Sequence, residues 1–320
     1  MQAIDSSANH ALHLWESGRR AEALLLFNQL AARNDPQALA MLAGFKWAGM
    51  AGPSDPAQGR EMYRRAAEAG QADAHIFTTN LLASGIAGPR DWPQALRRLE
   101  AEARNDPRRR EVMELLGRMK LTEDGDPQQV PEGETLSVSP SVILFHHLFS
   151  AAECDYLRKA AEPLFQPSTV YNSNRQPVRD PVRTSDGGTF HWLIEDPVVH
   201  ALNRRLAAAT GTDAGQGEAI LILRYRPGQQ YRNHFDFVVA SENQRAQTAL
   251  VYLNHDYKGG ETCFVKTGLK VKGRKGDALV FRNALPDRSL DELTEHAGLP
   301  VTSGTKYLAS RWIREKRWAP

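Results

Sequence analysis

The chain has 320 residues, of which 41% are hydrophobic and 24% charged, and its 40 basic and 38 acidic side chains leave a net charge of +2. That length suits two ordinary domains, and so balanced a charge gives no support to a nucleic-acid or membrane-surface partner. Two cysteines without a CxxC pair, Cys154 and Cys263, argue against a disulfide framework and favour a reducing compartment. The first twenty residues carry no basic head followed by an apolar run, and no eighteen-residue apolar stretch occurs anywhere. A cytoplasmic protein is expected.

Residues 1–121 are rich in Ala, Leu, Arg and Glu and repeat weakly. Ala51-Gly52-Pro53 recurs as Ala87-Gly88-Pro89, a shift of 36, and Asp55 recurs as Asp91 at the same shift. Moving back by 36, Ala21, Phe27 and Ala31 fall under Ala57, Tyr63 and Ala67, while Asn34-Asp35-Pro36 returns as Asn105-Asp106-Pro107. Each unit reads as a helix, a Gly/Pro loop and a second helix, with the aspartate capping the next helix. One such hairpin cannot bury its apolar stripe alone, so neighbours must stack into a solenoid. The pattern Leu42-Ala43-Gly44, Gly52-Pro53-Ser54-Asp55-Pro56 and Met62-Tyr63-Arg64-Arg65-Ala66-Ala67-Glu68 resembles the Sel1-like branch of tetratricopeptide repeats. That resemblance implies a concave groove able to recruit a polypeptide; a bundle that only shields the second domain is the plainer alternative.

Residues 122–137 are polar and broken by Pro and Gly, and read as a linker. After them the periodicity changes. Residues 138–145 predict a strand, and Ser150-Ala-Ala-Glu153 is a capping box opening a helix to about residue 162. Residues 196–210 predict a second helix with Pro197 in its first turn. Residues 219–225, 248–253, 277–281 and 305–313 are short β-type runs between Gly-rich turns. The Arg-rich end, Arg311 to Arg317, reads as the solvated edge of the last strand. The fold class is therefore α+β and multidomain, with helical hairpins first and then, over residues 138–320, a sheet sandwich or barrel buttressed by helices.

Within that second domain stand His234-Phe235-Asp236 and, sixty residues on, His296, with Lys306 ten further. Two imidazoles and one carboxylate are the ligand set of a mononuclear non-haem iron(II) site with three open positions. In a strand, residues i and i+2 share a face, so His234 and Asp236 can present their side chains together, and a rolled sheet can bring His296 alongside. Lys306, Leu308, Ser310 and Trp312 share one face of the last predicted strand. A lysine pointing inward among apolar neighbours needs an anion to neutralise it, which makes Lys306 an anchor for an acidic co-substrate.

The segments Leu223-Arg-Tyr-Arg-Pro-Gly228 through Asp236, Thr248-Ala-Leu-Val-Tyr-Leu-Asn254, Gly259-Gly-Glu-Thr262, Gly276-Asp-Ala-Leu-Val-Phe281 and His296 through Lys306 occur in the order that resembles the iron(II)- and 2-oxoglutarate-dependent dioxygenases of the prolyl 4-hydroxylase-like group. The resemblance implies a double-stranded β-helix (jelly roll) fold. It implies His234, Asp236 and His296 as Fe(II) ligands, and Lys306 on the distal carboxylate of 2-oxoglutarate with Tyr225 and Thr262 beside it. It further implies O2 as second co-substrate, succinate and CO2 as products, ascorbate as reductant, and no side-chain acid or base. Glu218, Tyr231 and Arg245 match positions lining the peptide site of that group, and Trp312 and Arg314 flank the same mouth. The aperiodic stretch 166–190, with Arg179, Arg183 and Gly187-Gly188, has the length of a lid. A peptide or protein substrate, recruited by the helical repeats and hydroxylated at proline or another residue, is the expectation. A hydroxylase of a free amino acid or small metabolite, and a non-catalytic interaction protein, are the alternatives.

Overall fold

The computed structural model describes residues 7–168, 170–171, 177–178 and 182–318. Arg179 of the expected lid, like the first six residues, lies outside the described residues. The chain divides into two compact units between Glu114 and Leu115, with Trp192–Pro197 counted in the first.

In the first unit the described helices are α1 (Ala8–Glu16), α2 (Arg20–Ala32), α3 (Pro36–Ala48), α4 (Pro56–Glu68), α5 (Ala72–Ser84), α6 (Trp92–Ala103) and α7 (Pro107–Leu116). The starts of α3 and α4 recur at α5 and α6 after 36 residues, so the sequence period is a period of helical hairpins. Local chemistry sets the punctuation. Gly49 and Gly85 close α3 and α5 in the left-handed conformation, at φ 67° and 69°, where a side chain would be strained. Asp55 and Asp91 then cap α4 and α6 by accepting hydrogen bonds from the backbone N–H of Gln58 and Gln94. Gly59 lets α4 lie close on α3, since a Cβ there would sit 3.0 Å from Ala43 O. Trp15 stacks on Phe45 and Phe27 meets Phe45 edge-on, filling the space between the first hairpins. Within this unit Asn80 Nδ2 donates to Leu193 O at 2.8 Å, and Arg109 is paired with Glu102.

The second unit begins with strands β1 (Gly133–Ser137) and β2 (Val142–Phe145), followed by helix α8 (Ala151–Ala161). Strands β3 (Gln166–Pro167), β4 (Val170–Tyr171), β5 (Pro177–Val178) and β6 (Asp186–Thr189) lead to helix α9 (Pro197–Thr210). Then come β7 (Leu221–Tyr225), β8 (Tyr231–His234), β9 (Arg245–Tyr252), β10 (Lys258–Gly259), β11 (Thr262–Phe264), β12 (Lys270–Val271) and β13 (Ala278–Arg282). The last strands are β14 (His296–Gly298), β15 (Val301–Ser303) and β16 (Lys306–Arg314). An eight-stranded sheet runs β1-β2-β13-β9-β16-β7-β6-β3, and a four-stranded sheet runs β12-β11-β14-β8. Described pairings in both are antiparallel. The architecture is the expected double-stranded β-helix. Its core lies between the sheets: Leu144, Leu223, Tyr225, Leu250, Tyr252, Leu279 and Leu308 from the larger meet Phe264 and Val271 from the smaller. Period-two alternation along β9 and β16 turns one side of each strand into this core.

Three local readings change. Residues 133–137, read as the end of the linker, form β1 on the edge of the large sheet. Gly133 is what admits it, because a Cβ there would lie 2.4 Å from Ile143 Cγ2. The strand expected over residues 138–145 starts only at Val142. Finally, Arg311 and Arg314 are buried rather than solvated. Arg311 donates to the carbonyls of Glu218 and Ala214 across Gly217, where no side chain stands in its way. The capping box of α8 forms as expected, Ser150 and Glu153 each satisfying the other's backbone N–H. Both cysteines are free, and no helix among the described residues is long and apolar enough to cross a membrane.

Leu279 is fully buried at the centre of the larger sheet, whereas Leu25 on α2 is 63% exposed. Leu279→Ala is expected to cost about 2–5 kcal/mol through lost burial and a residual cavity. Leu25→Ala should stay within about 0.5 kcal/mol of the parent. Urea unfolding followed by circular dichroism separates the two outcomes.

Candidate metal centre and co-substrate pocket

Pairing of β14 with β8 sets His296 directly opposite His234, with ring centroids 4.1 Å apart. Asp236 is not on the strand. β8 ends at His234 and the chain bends away, carrying the carboxylate toward β9, where Thr248 Oγ1 donates to Oδ2 at 2.7 Å. Gln244 holds the loop beyond by bonding both N and O of Val238. The strand alternation expected to align His234 with Asp236 is thus replaced by a bend, and convergence survives. Ligand atoms of His234, Asp236 and His296 all lie within 4.8 Å of one another.

Each imidazole is oriented by a backbone carbonyl. His234 Nδ1 lies 2.8 Å from Arg232 O, and His296 Nδ1 lies 2.9 Å from Thr294 O. A carbonyl can only accept, so Nδ1 carries the proton and Nε2 turns its lone pair inward. Those Nε2 atoms stand 3.8 and 3.7 Å from the two oxygens of Asp236. Burial, reinforced by His296, pushes the pKa of His234 down and keeps it neutral. Burial alone would raise the carboxyl pKa of Asp236, but the two imidazoles, Arg245 and the Thr248 hydroxyl hold it below its ordinary range. Two neutral nitrogen donors and one carboxylate in a largely buried cluster, each imidazole braced from behind, fit a divalent transition metal and suit iron(II). Aromatic side chains seal the site. Tyr231 stacks on His234 at 3.5 Å, and Phe281 meets His296 edge-on at 4.8 Å.

The cluster forms part of the wall of a cavity of about 410 Å³, counted with the solvent at its mouth. Among the predicted site residues, His234, Asp236, His296, Lys306, Tyr225, Thr262, Tyr231 and Trp312 line it, and Leu308 and Ser310 join them from β16. At the far end Lys306 is 2% exposed. Its ammonium donates to Gly260 O at 2.7 Å and faces the rings of Tyr225 and Tyr252 at 5.5 and 5.7 Å. No ion pair to Lys306 forms among the described residues, and burial lowers its pKa to about 8. Tyr252 Oη and Thr262 Oγ1 sit 3.3 Å apart nearby. A buried cation without a counter-charge is costly, so this end of the cavity suits a carboxylate.

Glu218, Arg245 and Arg314 do not line the cavity. Glu218 accepts both arms of Arg245 at 2.7 and 2.9 Å and Nε of Arg314 at 2.6 Å, so its carboxylate is shared between the two guanidinium groups. Arg245 in turn lies 3.9 Å above the Trp312 ring, which fixes the indole at the mouth. Leu223, Leu250 and Gly298 escaped the sequence reading of the pocket, and Arg183, expected in a lid, is part of its wall. Arg183 enters it because residues 182–184 pair with β8, Arg232 N donating to Val182 O and Thr184 N to Gln230 O. Leu250, two residues from Thr248 on β9, faces the same way, and strand alternation could have found it. Arg183 Nε and Nη2 and Trp312 Nε1 are buried with no hydrogen-bond acceptor among the described residues.

The sequence model of the 2OG-Fe(II) oxygenase superfamily matches residues 220–314. Prolyl 4-hydroxylase 1 of Arabidopsis thaliana is 36% identical over 203 residues, covering 57% of this chain and 72% of that protein. Probable prolyl 4-hydroxylase 3 of the same plant is 36% identical over 205 residues, covering 56% and 71%. A solved viral collagen prolyl hydroxylase from Paramecium bursaria Chlorella virus-1, in its 2OG complex, is 30% identical with a TM-score of 0.45, covering 54% of this chain and 95% of that one.

Substituting His234, Asp236 or His296 by Ala should weaken Fe(II) binding by more than about 100-fold, beyond the 10–100-fold typical of losing a supporting hydrogen bond. Anaerobic titration of the purified protein with Fe(II) measures this. Retained affinity in all three variants would remove the cluster as a metal centre.

Proposed function

The chain belongs to the 2OG-Fe(II) oxygenase superfamily, among its prolyl 4-hydroxylase-like members, and from that premise we propose that it hydroxylates a prolyl residue of a peptide or protein. It is a 2-oxoglutarate-dependent dioxygenase, with Fe(II) as its metal and 2-oxoglutarate and O2 as co-substrates. The observation that carries the oxygenase reading is the meeting, in one cavity, of half-buried His234 and buried Asp236 and His296 with a buried Lys306 that forms no ion pair among the described residues.

His234, Asp236 and His296 would hold the iron. When bound, iron with its two co-substrates supplies the oxidising chemistry, in which one oxygen atom of O2 enters a C–H bond and the other goes into succinate as CO2 leaves. Everything else falls to positioning. The Lys306 ammonium pairs with the distal carboxylate of 2-oxoglutarate, and the hydroxyls of Thr262 and Tyr252 border that carboxylate. Tyr225 closes the wall between Lys306 and Arg183, its hydroxyl bonded toward Ser185 and Arg183. Leu223, Leu250 and Leu308 keep the middle of the cavity dry, which strengthens the charge pairing at either end. Neither the iron cluster nor the C–H step calls for a side-chain acid or base, and ascorbate is the proposed reductant.

The substrate reading draws support from the mouth. Its buried groups without a partner among the described residues are donors, at Arg183 and Trp312, so an incoming chain is favoured if it brings carbonyl oxygens and few N–H groups. A prolyl residue has a carbonyl and no N–H. Recruitment of the protein substrate by the helical hairpins is part of the same proposal. The two free cysteines support a reducing, cytoplasmic setting.

Mass spectrometry of proline-containing peptides incubated with the protein, Fe(II), ascorbate and 2-oxoglutarate should reveal a gain of one oxygen atom that requires 2-oxoglutarate. If only a free amino acid gains oxygen, the peptide reading fails and the class of enzyme stands. Lys306 adds a pH signature. Its protonated form binds the carboxylate, and burial sets its pKa at about 8 before binding. Affinity for 2-oxoglutarate should therefore be level below pH 8 and fall by up to about tenfold per unit above it. Calorimetric titrations across that range test the slope, and Lys306→Met should abolish it.

A further inference from the structure

Strand β9 carries Thr248 in an otherwise apolar inner run with Leu250 and Tyr252, opposite Phe281 on β13 and Trp312 on β16. Thr248 is fully buried, and valine would fill the same volume, so packing alone does not ask for a hydroxyl there. The hydroxyl has one hydrogen and two neighbours. It donates to Asp236 Oδ2 at 2.7 Å and accepts from Asn283 Nδ2 at 3.0 Å. Asn283 is itself 1% exposed, and its main chain is pinned on both sides, N to Ala246 O and O to Asp291 N. Because Asn283 supplies a hydrogen to Thr248, the threonine hydrogen is left for the carboxylate, and the chain of bonds runs one way from amide to hydroxyl to Asp236.

We propose that Thr248 and Asn283 are positioning residues that commit Oδ2 of Asp236 to a hydrogen bond and leave Oδ1 as its single metal-binding oxygen. A carboxylate free to turn can grip a metal with both oxygens. That second contact would occupy a coordination position which a two-histidine, one-carboxylate centre must leave open for its co-substrates. Holding one oxygen back keeps the site three-coordinate from the protein side. The inference rests on the reading of His234, Asp236 and His296 as a metal centre.

The test uses the full chain as wild type and as Thr248→Ser, Thr248→Val and Asn283→Ala. Each is titrated anaerobically with Fe(II), and each is loaded with Co(II), whose visible absorption reports coordination number. Thr248→Ser keeps the hydroxyl and should match wild type within about twofold in affinity and in spectrum. Thr248→Val should bind Fe(II) about 10–100-fold more weakly and show an altered Co(II) spectrum, with Asn283→Ala between the two. A folded Thr248→Val with wild-type affinity and spectrum overturns the proposal, as does a Thr248→Ser as impaired as the valine variant. Should Thr248→Val fail to fold by circular dichroism, Asn283→Ala decides, and its matching wild type in both readouts overturns the proposal. Failure of the wild type itself to bind either metal would overturn the metal centre instead, which keeps the two failures apart.

Discussion

Opposite charges buried in the wall of one cavity are the constraint from which the rest of the second unit follows. A carboxylate at Asp236 and an ammonium at Lys306 would each be costly to bury without compensation, and strands β9 and β16 keep them from compensating each other. Those strands pair with Trp312 opposite Thr248, Ser310 opposite Leu250 and Leu308 opposite Tyr252. Thr248 therefore stands at the metal end and Tyr252 at the lysine end, with leucines between. Each charge is left to be met by something the cavity receives. A rigid antiparallel ladder is a suitable device for this, because its register cannot slip by one residue without turning every inward side chain outward.

Much of this was legible in the sequence, and the reasons are specific. His234 and His296 are recognisable by type and separation, and the alternation of Lys306, Leu308, Ser310 and Trp312 follows from strand geometry alone. The helical period was legible because capping chemistry repeats with it: Asp55 and Asp91 take nearly the same backbone angles at corresponding helix starts. What escaped lies where local pattern stops determining geometry. Asp236 lies beyond the end of the strand, where a hydroxyl on β9 donates to its carboxylate. Thr248 gives no signal of its own, since threonine in a β-run is ordinary. Glu218, Arg245 and Arg314 looked like independent charges at a binding mouth, yet pairing across 27 and 96 residues of sequence makes them one bridged support for Trp312.

That support shows how buried polarity is used throughout the unit. Arg311 reaches two carbonyls through the space left by Gly217, and Glu218 bridges two guanidinium groups. Such arrangements add little net stability over apolar packing of equal volume. Their value is geometric, since a bidentate arginine has a fixed plane and fixes whatever stacks on it. Trp312 is held by Arg245 in this way, and the His234 and His296 rings are held by carbonyls behind them. Side chains facing the cavity are thus aimed by polar contacts made outside it.

The donors left over at the mouth bear on what the cavity receives. Arg183 and Trp312 keep buried N–H groups without acceptors among the described residues, and such groups cost stability until something accepts from them. A ligand rich in carbonyl oxygens recovers that cost on entering, whereas one bringing N–H groups of its own adds unsatisfied donors to a site that offers few acceptors. Discrimination of this kind is strong because it rests on leaving hydrogen bonds unmade, which a missing or additional methylene group cannot match. On the proposed reading, proline is selected as much for the N–H it lacks as for the ring it carries. The mouth and the catalytic end then impose separate demands, one on the main chain of the substrate and the other on the C–H bond that must lie within reach of the His234, Asp236 and His296 cluster.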